Sequence, residues 1–217
     1  MIQLLDKNSL STLELDGAAV VALNGLNYNN YREFFNVRCL VCFTDSWYVS
    51  VIVWLVLGVW PRLRGYELLS MIVSQGQLNR FLVANTAQKE FLETRLANPE
   101  IILYDDLAQS LDVVDDLRNC IARSTYVCGV GSGVQESLVF QYDYKLICIG
   151  AGLDFVSKKQ NVCPLWLSNC GCEWIFRLIE TRGRTFNRIF PSLKGLALFA
   201  IDLFVLNIQI SRYEFKV

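Results

Sequence analysis

The chain contains no histidine, so Ser-His-Asp and Cys-His catalysis, histidine-bearing zinc sites and imidazole acid–base chemistry are excluded. Proton transfer must use a carboxylate, Lys, Tyr, Cys or water. Asp45 is one candidate. It stands in Thr44-Asp45-Ser46, just after the apolar run 37–43 and just before an apolar helix pattern. At a strand end, partly desolvated by Trp47 and its neighbours, a carboxylate would have the raised pKa that suits a base. The same position suits an N-cap for the following helix, and spacing alone favours the cap.

The sharpest loop is 125–136, where an apolar strand runs into Gly129, Gly131 and Gly133 and then a helix start. Ser132 with Gln135 fits a capping box, and the exposed amides at such a helix start can receive an anion such as a phosphate. The third glycine comes one residue too early for a dinucleotide fingerprint, and a plain tight turn is the alternative reading. A second strand, 145–150, ends in Gly150-Ala-Gly152 followed by Asp154. Asp154 could bond a ribose or cap the next helix. Two glycine turns at the carboxyl ends of successive strands would line one edge of a parallel sheet, where such folds place their ligands. Asn24, at the end of the apolar run 18–23, is a further binding candidate.

Farther on, Arg177, Arg184 and Arg188 are separated by 7 and 4 residues. On one continuous helix at ~100° per residue they would fall within roughly 40° of arc. Ile175, Leu178, Ile179, Phe186, Ile189 and Phe190 would occupy the opposite face, as expected of a basic amphipathic helix on a membrane surface or on the core. Three guanidiniums on one stripe can grip a diphosphate without a metal. Ordinary i,i+4 pairs, Glu173 with Arg177 and Glu180 with Arg184, are the plainer account, but they leave Arg188 over. The 8 cysteines include Cys39-x-x-Cys42 and Cys163 with Cys170-x-Cys172, enough thiolates for zinc; the irregular spacing favours plain core cysteines. The opening residues lack the apolar stretch of a secretory signal, so the thiols are read as reduced and cytosolic.

Positioning these residues requires a core, and 217 residues that are 53% hydrophobic and 19% charged suffice for one while excluding intrinsic disorder. Short apolar runs at 18–23, 37–43, 81–84, 101–104, 125–130 and 146–149 read as buried strands. Helical patterns lie between them at 48–57, 66–74, 88–96 and 107–120. The alternation predicts an α/β fold with a mostly parallel, Rossmann-like sheet covered on both faces. A helix follows over 173–190, ended by Pro191. Twenty basic against 21 acidic residues do not indicate a nucleic-acid binder. Residues 1–156 carry 11 basic and 17 acidic groups, whereas 157–194 carry 7 and 2. The chain is therefore read as a core, 1–160, and a basic C-terminal appendage, 161–217. The uncharged stretches 46–61 and 196–210, the second apart from Asp202, fall short of the ~20 residues that span a bilayer. A mean hydropathy of +0.32 suits a protein lying on a membrane better than one crossing it.

Ile149-Gly-Ala-Gly-Leu-Asp-Phe-Val156, Pro164-x-Trp166, Gly171-Cys-Glu-Trp-Ile-Phe-Arg-Leu-Ile-Glu180 and Arg184-x3-Arg188 resemble the C-terminal signature of the WecG/TagA/CpsF glycosyltransferases. The turn 130–136 resembles that family's glycine turn, and the likeness extends over about residues 20–190. It implies metal-independent, cofactor-free, inverting transfer from a UDP-sugar to a polyprenyl-diphosphate-linked saccharide, at the inner face of the cytoplasmic membrane. By position, the resemblance makes Asp45 the catalytic base, matches Arg64 to a family arginine and Gln135 to the polar residue of the nucleotide crevice, and sets Arg177, Arg184 and Arg188 over the diphosphate. Thr44-Asp45-Ser46 stands where the family usually has Pro-Asp-Gly, Ala22 where it often has threonine, and Gly183 where it usually has arginine. The rival readings are a degenerate member that binds membrane or a partner enzyme, and a nicotinamide-binding oxidoreductase, against which the early third glycine counts. Self-association is left open.

Overall fold

The computed structural model describes residues 2–5, 19–37, 40–58, 60–75, 78–104, 124–131, 134–142, 144–157, 161–180, 186–204 and 210–212. In chain order the elements are β1 (Ile2–Leu5), β2 (Val20–Ala22), α1 (Gly25–Val37), β3 (Leu40–Phe43), α2 (Trp47–Leu57), α3 (Gly65–Gln75), β4 (Arg80–Val83), α4 (Thr86–Arg95), β5 (Glu100–Leu103), β6 (Tyr126–Cys128), α5 (Val134–Tyr142), β7 (Leu146–Cys148), α6 (Gly152–Val156), α7 (Leu165–Asn169), α8 (Glu173–Glu180), α9 (Phe186–Phe204) and β8 (Ile210–Arg212). They belong to two compact units, each drawing on separate stretches of chain. One takes Met1–Asn8, Ala22–Leu63 and Asn161–Glu214; the other takes Ser9–Val21, Arg64–Gln160 and Phe215–Val217.

In the second unit the strand order is β5-β4-β6-β7-β2, and in the first β1 lies between β3 and β8. Every pairing of known register is parallel. Parallel strands covered on both faces need apolar side chains in both directions. Accordingly Val20, Val21, Phe81, Leu82, Val83, Val127, Cys128, Leu146, Ile147 and Cys148 are all buried. The molecule is thus an α/β protein with a Rossmann-like parallel sheet, as the alternation of patterns predicts.

Three expectations change. Val37 closes α1, and the strand begins only at Leu40. Asn24 directly precedes α1, and its side-chain Oδ1 accepts the Asn27 N–H at 2.9 Å, a cap that satisfies one of the four orphan donors. The expected single helix 173–190 is instead two elements, α8 and α9, with residues 181–185 outside the described set. Pro191 does not end a helix but lies inside α9. As the sixth residue of that helix it forfeits one i→i−4 bond. Burial of Phe199, Asp202 and Leu203 farther along carries the helix on. The pattern at 107–120 lies outside the described residues.

Helices α1 and α9 approach closely. A Cβ on Gly195 would come 1.7 Å from the Gly25 carbonyl oxygen, and the obstacle is backbone rather than a movable side chain. Gly195→Ala is expected to destabilise the protein by at least the ~1–3 kcal/mol typical of overpacking, read as a lowered urea midpoint with unchanged slope. An unchanged midpoint would mean that the helices do not pack this closely.

Candidate functional site

Arg64, Gly129, Gln135, Gly150 and Asp154, all singled out by sequence, belong to the second unit. Strands β6 and β7 pair in parallel with Cys128 opposite Cys148, so the turns at Gly129 and Gly150 leave neighbouring strands side by side. Gly65 presses on the second turn: a Cβ there would lie 2.1 Å from the Ile149 carbonyl oxygen. That contact brings Arg64, one residue earlier, to the same place. Arg64 is buried, its backbone N–H donates to Glu67 Oε2 at 2.9 Å, and its guanidinium donates to the Tyr66 hydroxyl.

Two buried glutamines tie the strand ends together. Gln135 Oε1 accepts the Gly150 N–H at 3.2 Å while its Nε2 donates to Glu136 Oε1 at 3.0 Å. From the helix that follows the first glycine turn its amide therefore holds the second; Ser132, its expected capping partner, lies outside the described residues. Gln88, which the sequence reading missed, accepts the Ala84 N–H at 2.8 Å and donates to Asp154 Oδ1 at 2.8 Å and to the Gly129 carbonyl at 3.5 Å. One amide thus joins the ends of β4 and β6 to Asp154. Asp154 is not the cap of α6, a position held by Ala151. The signal for Gln88 was present as Asn85-x-x-Gln88 after an apolar run, since Asn85 Oδ1 accepts the Gln88 N–H at 3.1 Å. Buried amides whose oxygen and nitrogen both have partners fix a site's geometry.

In the first unit Asp45 follows the end of β3, and the N–H of Leu23, the residue before Asn24, donates to the Phe43 carbonyl at 2.8 Å. Asp45 does not cap α2; that position belongs to Ser46. Nor is it desolvated as expected: the residue is exposed, because the Trp47 indole packs against Gly171 instead and donates to the Asn169 carbonyl at 2.9 Å. Its backbone is nonetheless held. Thr44 is buried, its hydroxyl donates to the Pro61 carbonyl at 2.7 Å, and its carbonyl accepts the Leu63 N–H at 3.1 Å. Arg62 donates to the Ser168 carbonyl at 2.9 Å, to Ser168 Oγ at 2.8 Å and to Glu173 Oε2 at 3.2 Å. The strand end carrying Asp45 is therefore strapped to α7 and α8.

The arginine stripe is not one face of one helix. Arg177 in α8 is a brace: it donates to the Asn161 carbonyl at 2.9 Å and to Glu180 Oε2 at 2.6 Å, with Glu173 Oε1 at 3.6 Å. Burial pushes the Glu180 carboxyl up, but the Asn161 N–H and Arg177 outweigh it and hold the group below the usual carboxylate range. Arg188 stands exposed on α9, and Arg184 lies outside the described residues. Of the expected apolar face, Ile175, Ile179 and Phe190 are exposed. Among the described residues, all exposed large apolar side chains except Val134 belong to this first unit, Trp54, Leu55, Trp166 and Phe204 among them. Among the same residues no three Cys, Asp or Glu gather as a metal would require, and no helix is long and apolar enough to cross a membrane.

No curated protein and no solved structure matches the chain. A family model does, over residues 17–212. That span includes both glycine turns, Asp45, Arg64, both buried glutamines and the three arginines, so the match covers every candidate residue, with strand β1 lying outside it. The chain belongs to the WecG/TagA/CpsF family of glycosyltransferases.

Proposed function

We propose that the protein transfers a sugar from a UDP-sugar to a polyprenyl-diphosphate-linked saccharide, with inversion and without a metal, in the synthesis of a surface polysaccharide or cell-wall polymer. The observation that carries this reading is the pair of glycine turns on adjacent strands, tied by Gln88 and Gln135. It supplies rigid backbone amides at a sheet edge where a nucleotide diphosphate can dock. Asp154, held by Gln88, is the acceptor for a ribose hydroxyl, and Arg64 lines the same end.

The reaction is one in-line displacement. Asp45 takes the proton of the acceptor hydroxyl, the oxygen bonds to the anomeric carbon, and the bond from that carbon to the UDP oxygen breaks. The exposed Arg188, with Arg184, meets the charge that develops on the leaving diphosphate. Arg177 contributes as the brace of α8. Residues 161–217 act as the appendage that meets the cytoplasmic membrane face, a role supported by the exposed Trp166, Trp174, Ile179 and Phe190.

The test is turnover of UDP-sugars on a lipid-linked acceptor in excess EDTA. Activity is expected to survive, because arginines neutralise the diphosphate. Loss on chelation with recovery on adding magnesium or manganese would overturn the metal-free mechanism.

A further inference from the structure

The segment Asn169-Cys170-Gly171-Cys172 closes α7 with two chain-reversing bonds. The Gly171 N–H reaches the Ser168 carbonyl at 3.2 Å and the Cys172 N–H reaches the Leu167 carbonyl at 3.0 Å, the pairing of a Schellman motif with a left-handed residue after the C-cap. Gly171 is that residue, with φ +78°. The turn sets the two cysteines on either side of the glycine and folds the second back on the first: the Cys172 thiol lies 3.7 Å from the Cys170 carbonyl oxygen, and the Cys170 thiol lies 3.2 Å from the Leu167 carbonyl oxygen. Cys170 is exposed and Cys172 half-buried, and both are free thiols. The other described cysteines, Cys42, Cys128, Cys148 and Cys163, are buried.

The same turn holds the start of α2. Its Asn169 carbonyl accepts the Trp47 indole N–H at 2.9 Å and its Gly171 carbonyl accepts the Tyr48 hydroxyl at 3.2 Å. The glycine lies against the indole face, with room for no Cβ: one would come 2.9 Å from Trp47 Cδ2 and Cε3. A change in this turn is thereby felt two residues from Asp45.

We propose that Cys170 and Cys172 form a reversible dithiol–disulfide site, and that its oxidation is transmitted to Trp47 through the Gly171 turn. The oxidant is a small-molecule disulfide. The Cys170 thiolate attacks one of its sulfurs and releases one small thiolate. The Cys172 thiol then gives up its proton and attacks the Cys170 sulfur, releasing the second. Two protein thiols are oxidised to one disulfide, one external disulfide is reduced to two thiols, and the protons end on those thiols. Exposure marks Cys170 as the attacking sulfur and the neighbouring Cys172 as the resolving one. The site is independent of the sugar-transfer reading.

The experiment uses the full chain carrying Cys163→Ser, so that tryptic peptide 160–177 holds only this pair. The protein is incubated with glutathione disulfide, digested and weighed, with tryptophan fluorescence followed in parallel. The expected result is a peptide lighter by two hydrogens, restored by dithiothreitol, together with a shift in emission that is lost in Trp47→Phe and in Cys172→Ser. A glutathione adduct persisting on Cys170 while Cys172 is present would overturn the dithiol. A disulfide formed with no Trp47-dependent shift would overturn the transmission. Failure of sugar transfer in any assay would leave both readouts untouched.

Discussion

Asp45→Asn is expected to lower transfer by ~10²-fold or more, the usual contribution of a general base, while leaving folding and UDP binding close to wild type. The two halves of this expectation have separate grounds. Asp45 is exposed, and an exposed substitution of equal size shifts stability by no more than about ±0.5 kcal/mol. Its neighbours hold the strand end: Thr44 is bonded to Pro61 and Leu63, and Ser46 occupies the cap of α2. Asparagine keeps the shape and cannot accept the proton, so kcat should fall with little change in donor affinity. The acid limb of the wild-type kcat/KM profile should also vanish in the residual activity. Wild-type turnover by this variant on a lipid-linked acceptor would strip Asp45 of the role.

What could be read from the sequence was what depends on local pattern. Apolar runs such as 81–83 and 146–148 bury both faces of a strand and betray themselves by composition alone. The glycines at 129 and 150 likewise mark turns wherever they stand. The long-range features were hidden. Helix α1 reads as polar, with three asparagines and two tyrosines in its first two turns, and one of its main contacts is backbone against backbone at Gly25 and Gly195, which no side-chain pattern reports. The arginine stripe assumed a continuous helix through 173–190, and periodicity cannot report that Arg177 has Asn161 and Glu180 as partners. Gln88 was legible as part of a helix start, but its bonds to Gly129 and Asp154 follow only once β4 and β6 are known to be neighbours. Cys170-x-Cys172 was legible as a pair, but that its turn is fastened to Trp47 follows only from tertiary contacts 122 and 123 residues apart in sequence.

Asp202 is the residue that a reading for hydrophobicity treats as an interruption, and it yields the second large expectation. The carboxylate is completely buried on α9, accepting from the Tyr28 hydroxyl at 2.7 Å and from Arg32 Nε at 2.6 Å, with Arg32 Nη2 on its other oxygen. Burial and then the Asp202 hydrogen bond push the Tyr28 phenol far above its ordinary pKa, while the hydrogen bond to Asp202 raises Arg32. The partners differ in what their loss leaves behind. Arg32 is 37% exposed along its side chain against 0% for Asp202, so an orphaned guanidinium can turn to water and an orphaned carboxylate cannot. Arg32→Met is therefore expected to cost more than Asp202→Asn, about 3–5 kcal/mol, since it strands a buried charge. It should also change the pH dependence. Without its guanidinium the buried carboxyl has a folded pKa raised above the unfolded ~3.9. The folded state then binds more protons, and stability falls as pH rises from about 4 towards neutrality. Adding Asp202→Asn to Arg32→Met removes the charge and should recover part of the loss along with the pH slope. Equal losses for the two single variants, or a double variant no better than Arg32→Met, would show that the ion pair is not what seats α9 on α1.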